Sequence, residues 1–301
     1  TQTMTNPLDD KTQADFQRAR FKAFMHRVWD SLSGQRTTLL SYDDIKEKLH
    51  IGGPIYRGVQ TVRVDQIAGS LNRYHEFDRV FMPASNTLSA RWQSVNRAFY
   101  EDVSLPPVVL YKVGQVYFVV DGHHRVSVAR KQNQLFIDAE VRECSTRVNI
   151  TPDIRPEDLE IIHDKVHFLE RTSLDKLKPE ANIKLTIPDG FERMLEHIAV
   201  HRYFMGLDWK RDISEEEAIN HWHDHVYMPI VRVIRETNII KEFPDKTEGD
   251  LYLWVLDHQH YLESQEGMPL QPPDAAARDF FGIKGNQAAA VNKNKQKTEK
   301  K

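Results

Sequence analysis

Residues 116 to 129 read Val-Tyr-Phe-Val-Val-Asp-Gly-His-His-Arg-Val-Ser-Val-Ala, and this stretch decides how the rest of the chain is read. The unbroken apolar run from Val116 to Val120 fits a strand buried on both faces. Polarity then concentrates in Asp121, His123, His124 and Arg125, and Val126, Val128 and Ala129 resume an apolar pattern suited to a helix starting near Arg125. Gly122 lets the backbone turn sharply and lets a ligand approach. The first amides of a helix are unpaired donors at the positive end of its dipole, so they favour an anion. Arg125 can grip oxyanions in a bidentate way, and the two histidines add donors whose charge changes near neutrality. Asp121 remains as a base or as a ligand for magnesium. The bland alternative, in which Asp121 caps the helix and the histidines pack locally, suits an isolated His-His pair better than four polar groups in one turn.

Moving outward, Pro106 to Val113 is a second β-rich run, split from the first by a turn at Gly114. Thr61-Val62-Arg63-Val64 looks like a strand followed by a helical turn, Ala84 to Tyr100 like a helix carrying Leu88, Trp92, Val95 and Phe99, and Phe136 to Val141 like a further strand. Upstream, Ala14 to Leu32 spaces Phe16, Ala19, Phe21, Ala23, Phe24, Val28, Trp29 and Leu32 as a helix docking one face on a core, and Ser41 reads as an N-cap. Beyond Arg147 the pattern turns helical: one helix from Pro156 through Leu169, then Phe191 to Met205, Ser214 to Arg235 with Pro229 ending or kinking it, and Asp250 to Leu262. Lys184 to Pro188 reads as a short strand. The expected fold class is therefore α+β, an α/β domain followed by a mainly α-helical domain. The expected divisions are a disordered tail over 1–11, N-terminal helices over 12–58, the α/β domain over 59–147, the helical domain over 148–270, and a mostly disordered tail over 271–301.

At 301 residues and 40% hydrophobic content the chain can bury two ordinary cores. It contains no apolar run long enough to span a bilayer and no signal-peptide layout at Thr1 to Lys11, so the expectation is a cytoplasmic protein without a membrane partner. The single cysteine, Cys144, excludes an internal disulfide framework and reads as an inert core residue. Net charge is −3, yet Lys293 to Lys301 carries five lysines and one glutamate, so the body of the chain is more acidic still. That is not the balance of a global nucleic-acid binder, and the lysine tail offers only salt-sensitive, nonspecific attraction.

Asp121-Gly122-His123-His124-Arg125 resembles the signature turn of the ParB/sulfiredoxin superfamily, whose ParB members carry a Gly-Glu-Arg-Arg type sequence and bind CTP phosphates there. The resemblance covers roughly residues 59 to 142, with Val62 to Ile67 similar to the family's first strand and turn, and Pro107 to Leu110 similar to the strand before the signature hairpin. Sulfiredoxins have Gly-Cys-His-Arg at this point. Here His123 stands at the cysteine's position, which rules out reduction of sulfinic acid by that route. The form is most similar to the free serine kinase branch of the fold. By that resemblance Asp121 and His123 are the catalytic candidates, and Gly122, His123, His124 and Arg125 hold the phosphates of ATP, ADP or CTP with magnesium. Arg73 falls where ParB proteins place an arginine of their first conserved box. The kinase branch uses a glutamate after its first strand, and Glu76 or Asp78 stand nearest to it without matching clearly. The resemblance thus implies a nucleotide-binding protein, with a kinase-type phosphotransferase acting on a small hydroxyl substrate, or a nucleotide hydrolase, as its enzymatic forms. A ParB-like DNA-associated regulator and a noncatalytic assembly module, each able to form a homo-oligomer, are the alternatives. His197-Ile198-Ala199-Val200-His201 and Asp250 to Trp254 resemble a bacterial helical domain of no established activity.

Two further patterns stand out. His197 and His201, and His221 and His225, lie at the i, i+4 spacing of metal sites, with Glu196 or Asp224 able to complete one. With 14 histidines and no His-Glu-x-x-His run, interhelical hydrogen bonding is the favoured reading, and no metal site is assigned. Trp209, Trp222 and Trp254 with Tyr203, Phe204, Tyr227 and Tyr252 read as the core of the helical domain rather than a stacking platform.

Overall fold

A computed structural model describes residues 6–33, 39–155 and 158–282. The chain divides into two compact units, one ending at Val166 and the other starting at His167. The first holds a six-stranded mixed sheet and the second is built from helices, which is the α+β class expected.

In the first unit, α1 (Pro7–Ser33) leads to the short edge strand β1 (Leu40–Ser41) and to α2 (Tyr42–Leu49). Ser41 caps α2 as its sequence suggests, its Oγ accepting the Asp44 amide at 3.3 Å, and His50 closes the helix in the left-handed region. There follow β2 (Pro54–Arg63), β3 (Ile67–Ser70), α3 (Ser89–Tyr100), β4 (Val108–Val113), β5 (Val116–Asp121), α4 (His123–Lys131) and β6 (Phe136–Cys144). The sheet order is β1-β3-β5-β4-β6-β2. β5 lies centrally, parallel to β3 and antiparallel to β4, while β2 is the edge strand beyond β6 and pairs antiparallel with it.

A central position explains the apolar run of β5, since Val116, Phe118 and Val119 are fully buried. Val119 packs with Val108, Leu110, Val126, Ala139 and Val141 in one core layer under α4. A second layer joins Phe16, Ala19 and Ala23 of α1 to Trp92 of α3 and Val128 of α4, so α4 is clamped between sheet and outer helices. On Phe118, the ring of Tyr42 packs edge-on at 5.7 Å, and its hydroxyl lies 3.4 Å from the Cys144 sulfur. Burial raises the pKa of that thiol, in keeping with an inert core cysteine.

The α1 pattern is only half a core pattern. Phe16, Ala19 and Ala23 face inward, whereas Phe21, Phe24, Val28 and Trp29 are exposed, because their positions fall on the opposite side of the helix. The helix also begins at Pro7, within the stretch that the sequence leaves as a loose end. Expectations for the tail beyond 282 lie outside the described residues.

The second unit contains the end of α5 (Leu159–Thr172), α6 (Leu174–Leu177), α7 (Gly190–Trp209), α8 (Glu215–Trp222), α9 (Met228–Thr237) and α10 (Glu248–Glu266), then a helix over 273–282. Pro229 does not end the helical run from Glu215 to Thr237. A single π-turn over His223–Tyr227 absorbs it, leaving Pro229 in the first turn of α9, where no amide is needed. Lys184 to Pro188 forms no strand; the Thr186 amide and hydroxyl both donate to Asp250, a buried carboxylate on α10, in place of a ladder. Trp222, Tyr227 and Tyr252 form the aromatic core, with the Trp222 indole donating to the Tyr252 hydroxyl at 3.0 Å. Tyr203, Phe204 and Trp209 are instead on the surface.

Candidate functional site

Gly122 is the pivot between β5 and α4. Its φ of 99° lies in the left-handed region, and a Cβ placed there would sit 2.6 Å from Val108 Cγ1, so both backbone and space demand glycine. Because Gly122 itself takes the N-cap position, α4 starts at His123, two residues earlier than the sequence suggests. Its first intrahelical bond is Val126 N–H to Gly122 O at 3.0 Å, leaving the preceding amides without helical partners.

This early start redirects both imidazoles. His123 and His124 are each only 6% exposed and turn onto Phe77, the first stacked at 6.0 Å and the second edge-on at 5.6 Å. His123 Nε2 shares a 2.8 Å hydrogen bond with Ser70 Oγ at the end of β3, and that oxygen also accepts the Arg73 amide. His124 Nδ1 is buried with no hydrogen-bond partner among the described residues. Burial, helped by nearby arginines, lowers both pKa values to about 4. The two rings are therefore neutral at physiological pH and floor the site rather than supplying the near-neutral titration expected from sequence.

Positive charge comes from three arginines. Asn72, Arg73, Arg91, Asp121, Gly122, His123, His124 and Arg125 line one cleft of about 490 Å³, walled by Val95, Leu105, Pro106 and Val120. Arg125 reaches back from the first turn of α4: one nitrogen donates to Asp121 Oδ2 at 2.7 Å, the other to the carbonyls of Pro106 and Pro107. Its side chain is 15% exposed, while that of Asp121 is 64% exposed at the mouth of the cleft. Arg73 pairs with Glu76 at 3.3 Å. Arg91, from α3, has no hydrogen-bonding or ion-pair partner among the described residues. All five positions singled out from Asp121 to Arg125, together with Arg73, thus meet in one cleft. Arg91 was not legible, since a lone arginine between Ala90 and Trp92 has no distinguishing spacing.

The two candidate acids separate. Glu76 stays beside Arg73, whereas Asp78 is 5% exposed and organises its own turn, accepting the Val80 and Met82 amides and lying 3.1 Å from His26 Nδ1. Burial raises the pKa of Asp78 despite these bonds. A carboxylate so enclosed serves the fold and does not reach the cleft lining.

In the helical unit the histidine pairs bond to one another and to the core. His201 Nε2 lies 2.8 Å from His221 Nδ1, His225 stacks on His221 at 4.0 Å, and His197 Nδ1 lies 3.1 Å from the Tyr252 hydroxyl. Asp224 is taken by Lys178 and His223. Among the described residues no three His, Cys, Asp or Glu side chains are grouped to hold a metal. No helix of the described chain is long and apolar enough to cross a membrane.

The fold and cleft define an α/β unit with a basic pocket at a strand–glycine–helix turn, followed in the chain by a helical unit. No family model matches the sequence, and no curated protein does. One solved structure to which the chain is similar is described as the C2221 form of a Pnob8-like ParB-N domain. The identity is 12% and the TM-score 0.21, over 77% of this chain and 98% of that one, and at that score the likeness carries no argument.

Proposed function

We propose that the cleft at the start of α4 binds the phosphates of a nucleotide, ATP, ADP or CTP, with magnesium. The observation that carries this reading is the convergence of Arg73, Arg91 and Arg125 on the unpaired first-turn amides of α4 in one concave space. Arginine forks and a helix N-terminus each favour phosphate oxygens, and a cleft of this size falls within the ordinary range for ligand sites. Arg91 is the cation most available to a ligand, because Arg125 is held by Asp121 and two carbonyls and Arg73 by Glu76. His123 and His124 act through their neutral rings, fixing the floor on which the amides sit.

Asp121 extends the reading to phosphotransfer. One of its oxygens is on Arg125, and a mostly exposed carboxylate keeps the other available to take the proton of a small hydroxyl substrate or to join phosphate oxygens around magnesium. Magnesium would supply charge neutralisation on the transferring group, with the arginines orienting it. DNA association and assembly as alternatives gain no contact of their own from the cleft.

Thermal shift of the full chain with ATP, ADP and CTP, each with and without magnesium, tests the binding step. A ligand must raise the melting temperature by mass action. Arg91→Ala is expected to abolish most of the shift, and no shift with any of the three would refute the proposal. Release of ADP on adding hydroxyl compounds, lost in Asp121→Asn while binding persists, would establish turnover.

A further inference from the structure

In the helical unit, α7 is apolar on two faces, and only one of them is buried. Phe191, Met194, Ile198 and Met205 are enclosed by the unit's other helices. Val200, Tyr203, Phe204 and Leu207 repeat the i, i+3, i+4, i+7 spacing of a packing stripe, yet each is more than half exposed. A contiguous apolar stripe of this kind marks a surface that something covers. Beside it runs a groove of about 1000 Å³ between α7 and the segment leading into α8, with Ala199, Tyr203, Gly206, Leu207, Ile213 and Ile219 in its lining. The small residues Ala199 and Gly206 open this groove one turn to either side of Tyr203.

Charge brackets the stripe with opposite signs. Glu196 lies one turn before Val200, and Lys210 caps the helix just after Leu207. Both are exposed, and neither has a hydrogen-bonding or ion-pair partner among the described residues. We propose that this face docks on the same face of a second copy, the two α7 helices running antiparallel about a two-fold axis. The midpoint of Val200 and Leu207 falls between Tyr203 and Phe204, and that of Glu196 and Lys210 falls on Tyr203. An antiparallel pair centred there sets Val200 against Leu207, Tyr203 against Phe204 and Glu196 against Lys210, each contact made twice, as an isologous interface requires. The hollow at Ala199 and Gly206 receives a ring from the opposite helix, as ridges pack into grooves. A parallel pair would instead oppose like charges at both ends, and a uniformly acidic or basic partner would satisfy one end only. The exposed stripe of α1 is not equivalent, because no acidic residue lies between Phe16 and Trp29 and a second copy would offer its arginines no carboxylate within that span. Nothing in the pairing depends on the phosphate cleft.

One helix face makes a small interface, so reversible association in the micromolar range is expected. Sedimentation equilibrium of the full chain over a concentration series measures it, with the mass expected to rise from one chain to two. Phe204→Glu and Val200→Asp, both at exposed positions, should each weaken the dimer by about thirtyfold or more, since each buries an unpaired charge at the contact, with the helical circular dichroism unchanged. Glu196→Lys or Lys210→Glu alone creates two like-charge pairs across the axis and should weaken it about tenfold, and both reversals in one chain should restore the affinity to within about threefold. These reversals lie on the surface and carry the test if a stripe variant unfolds. A single-chain mass at every concentration would overturn the pairing, and so would assemblies growing beyond two chains. A dimer that neither folded stripe variant weakens would overturn its placement on α7, and a double reversal as weak as the single ones would overturn the antiparallel register.

Discussion

Gly122 and Arg91 mark opposite kinds of residue in the same cleft. Gly122→Ala combines a strained positive φ with a contact to Val108 that cannot be relieved without moving β4, and is expected to cost about 2–3 kcal/mol, read as a fall in the urea midpoint at unchanged slope. Arg91→Ala removes an exposed side chain with no hydrogen bond to lose among the described residues. It should change stability by less than about 0.5 kcal/mol while weakening anion binding about tenfold, a split that separates a ligand contact from a structural one. The first residue was legible in the sequence because glycine between an apolar run and a polar cluster carries a backbone meaning. The second was not, because an arginine on a helix surface acquires its meaning only from what the fold brings opposite it. The histidines were found but misjudged: one helical turn, shifted by two residues, decides whether an imidazole meets water or Phe77.

At the scale of elements, a helix end carrying its own cap residue is legible, whereas an uncapped start and the choice of packing face are not. The Ser41 cap and the 3.6-residue spacing of α3 follow from local chemistry, but α1 shows apolar residues on two faces, and spacing alone does not say which face packs. In the helical unit α10 is held at its start by a capping box between Thr247 and Asp250, and Asp250 also binds the Thr186 amide and hydroxyl. Thr247→Ala should cost about 1 kcal/mol, whereas Asp250→Ala, which removes a buried carboxylate together with its bonds to Thr186 and Thr247, should cost about 3 kcal/mol or more. Chemical denaturation of the two variants side by side checks the ordering, and equal losses would contradict it.

For the whole molecule, four enclosed imidazoles share one dependence on acidity. His123, His124, His197 and His201 have pKa values lowered to about 4, burial being the main cause in each. Unfolded, they titrate near 6.5, so below that value protons bind the unfolded chain first. Stability is accordingly complete above about pH 6.5 and drains as the pH falls toward 4. The two site histidines each contribute on the order of 1 kcal/mol to the loss at pH 5.5. Unfolding midpoints at pH 7.5 and 5.5 measure it, and His124→Phe should narrow the gap between them, since the ring it replaces has a buried nitrogen with no partner among the described residues. The edge position of β2 has a temporal consequence. Arg63 pairs with Phe136 and Pro54 with Cys144, so this strand leaves the ribosome some seventy residues or more before β6, its neighbour in the sheet, exists. At about 5–20 residues per second it waits for seconds with its backbone groups unpaired, and crowded synthesis is when this chain is most exposed to pairing with the wrong copy.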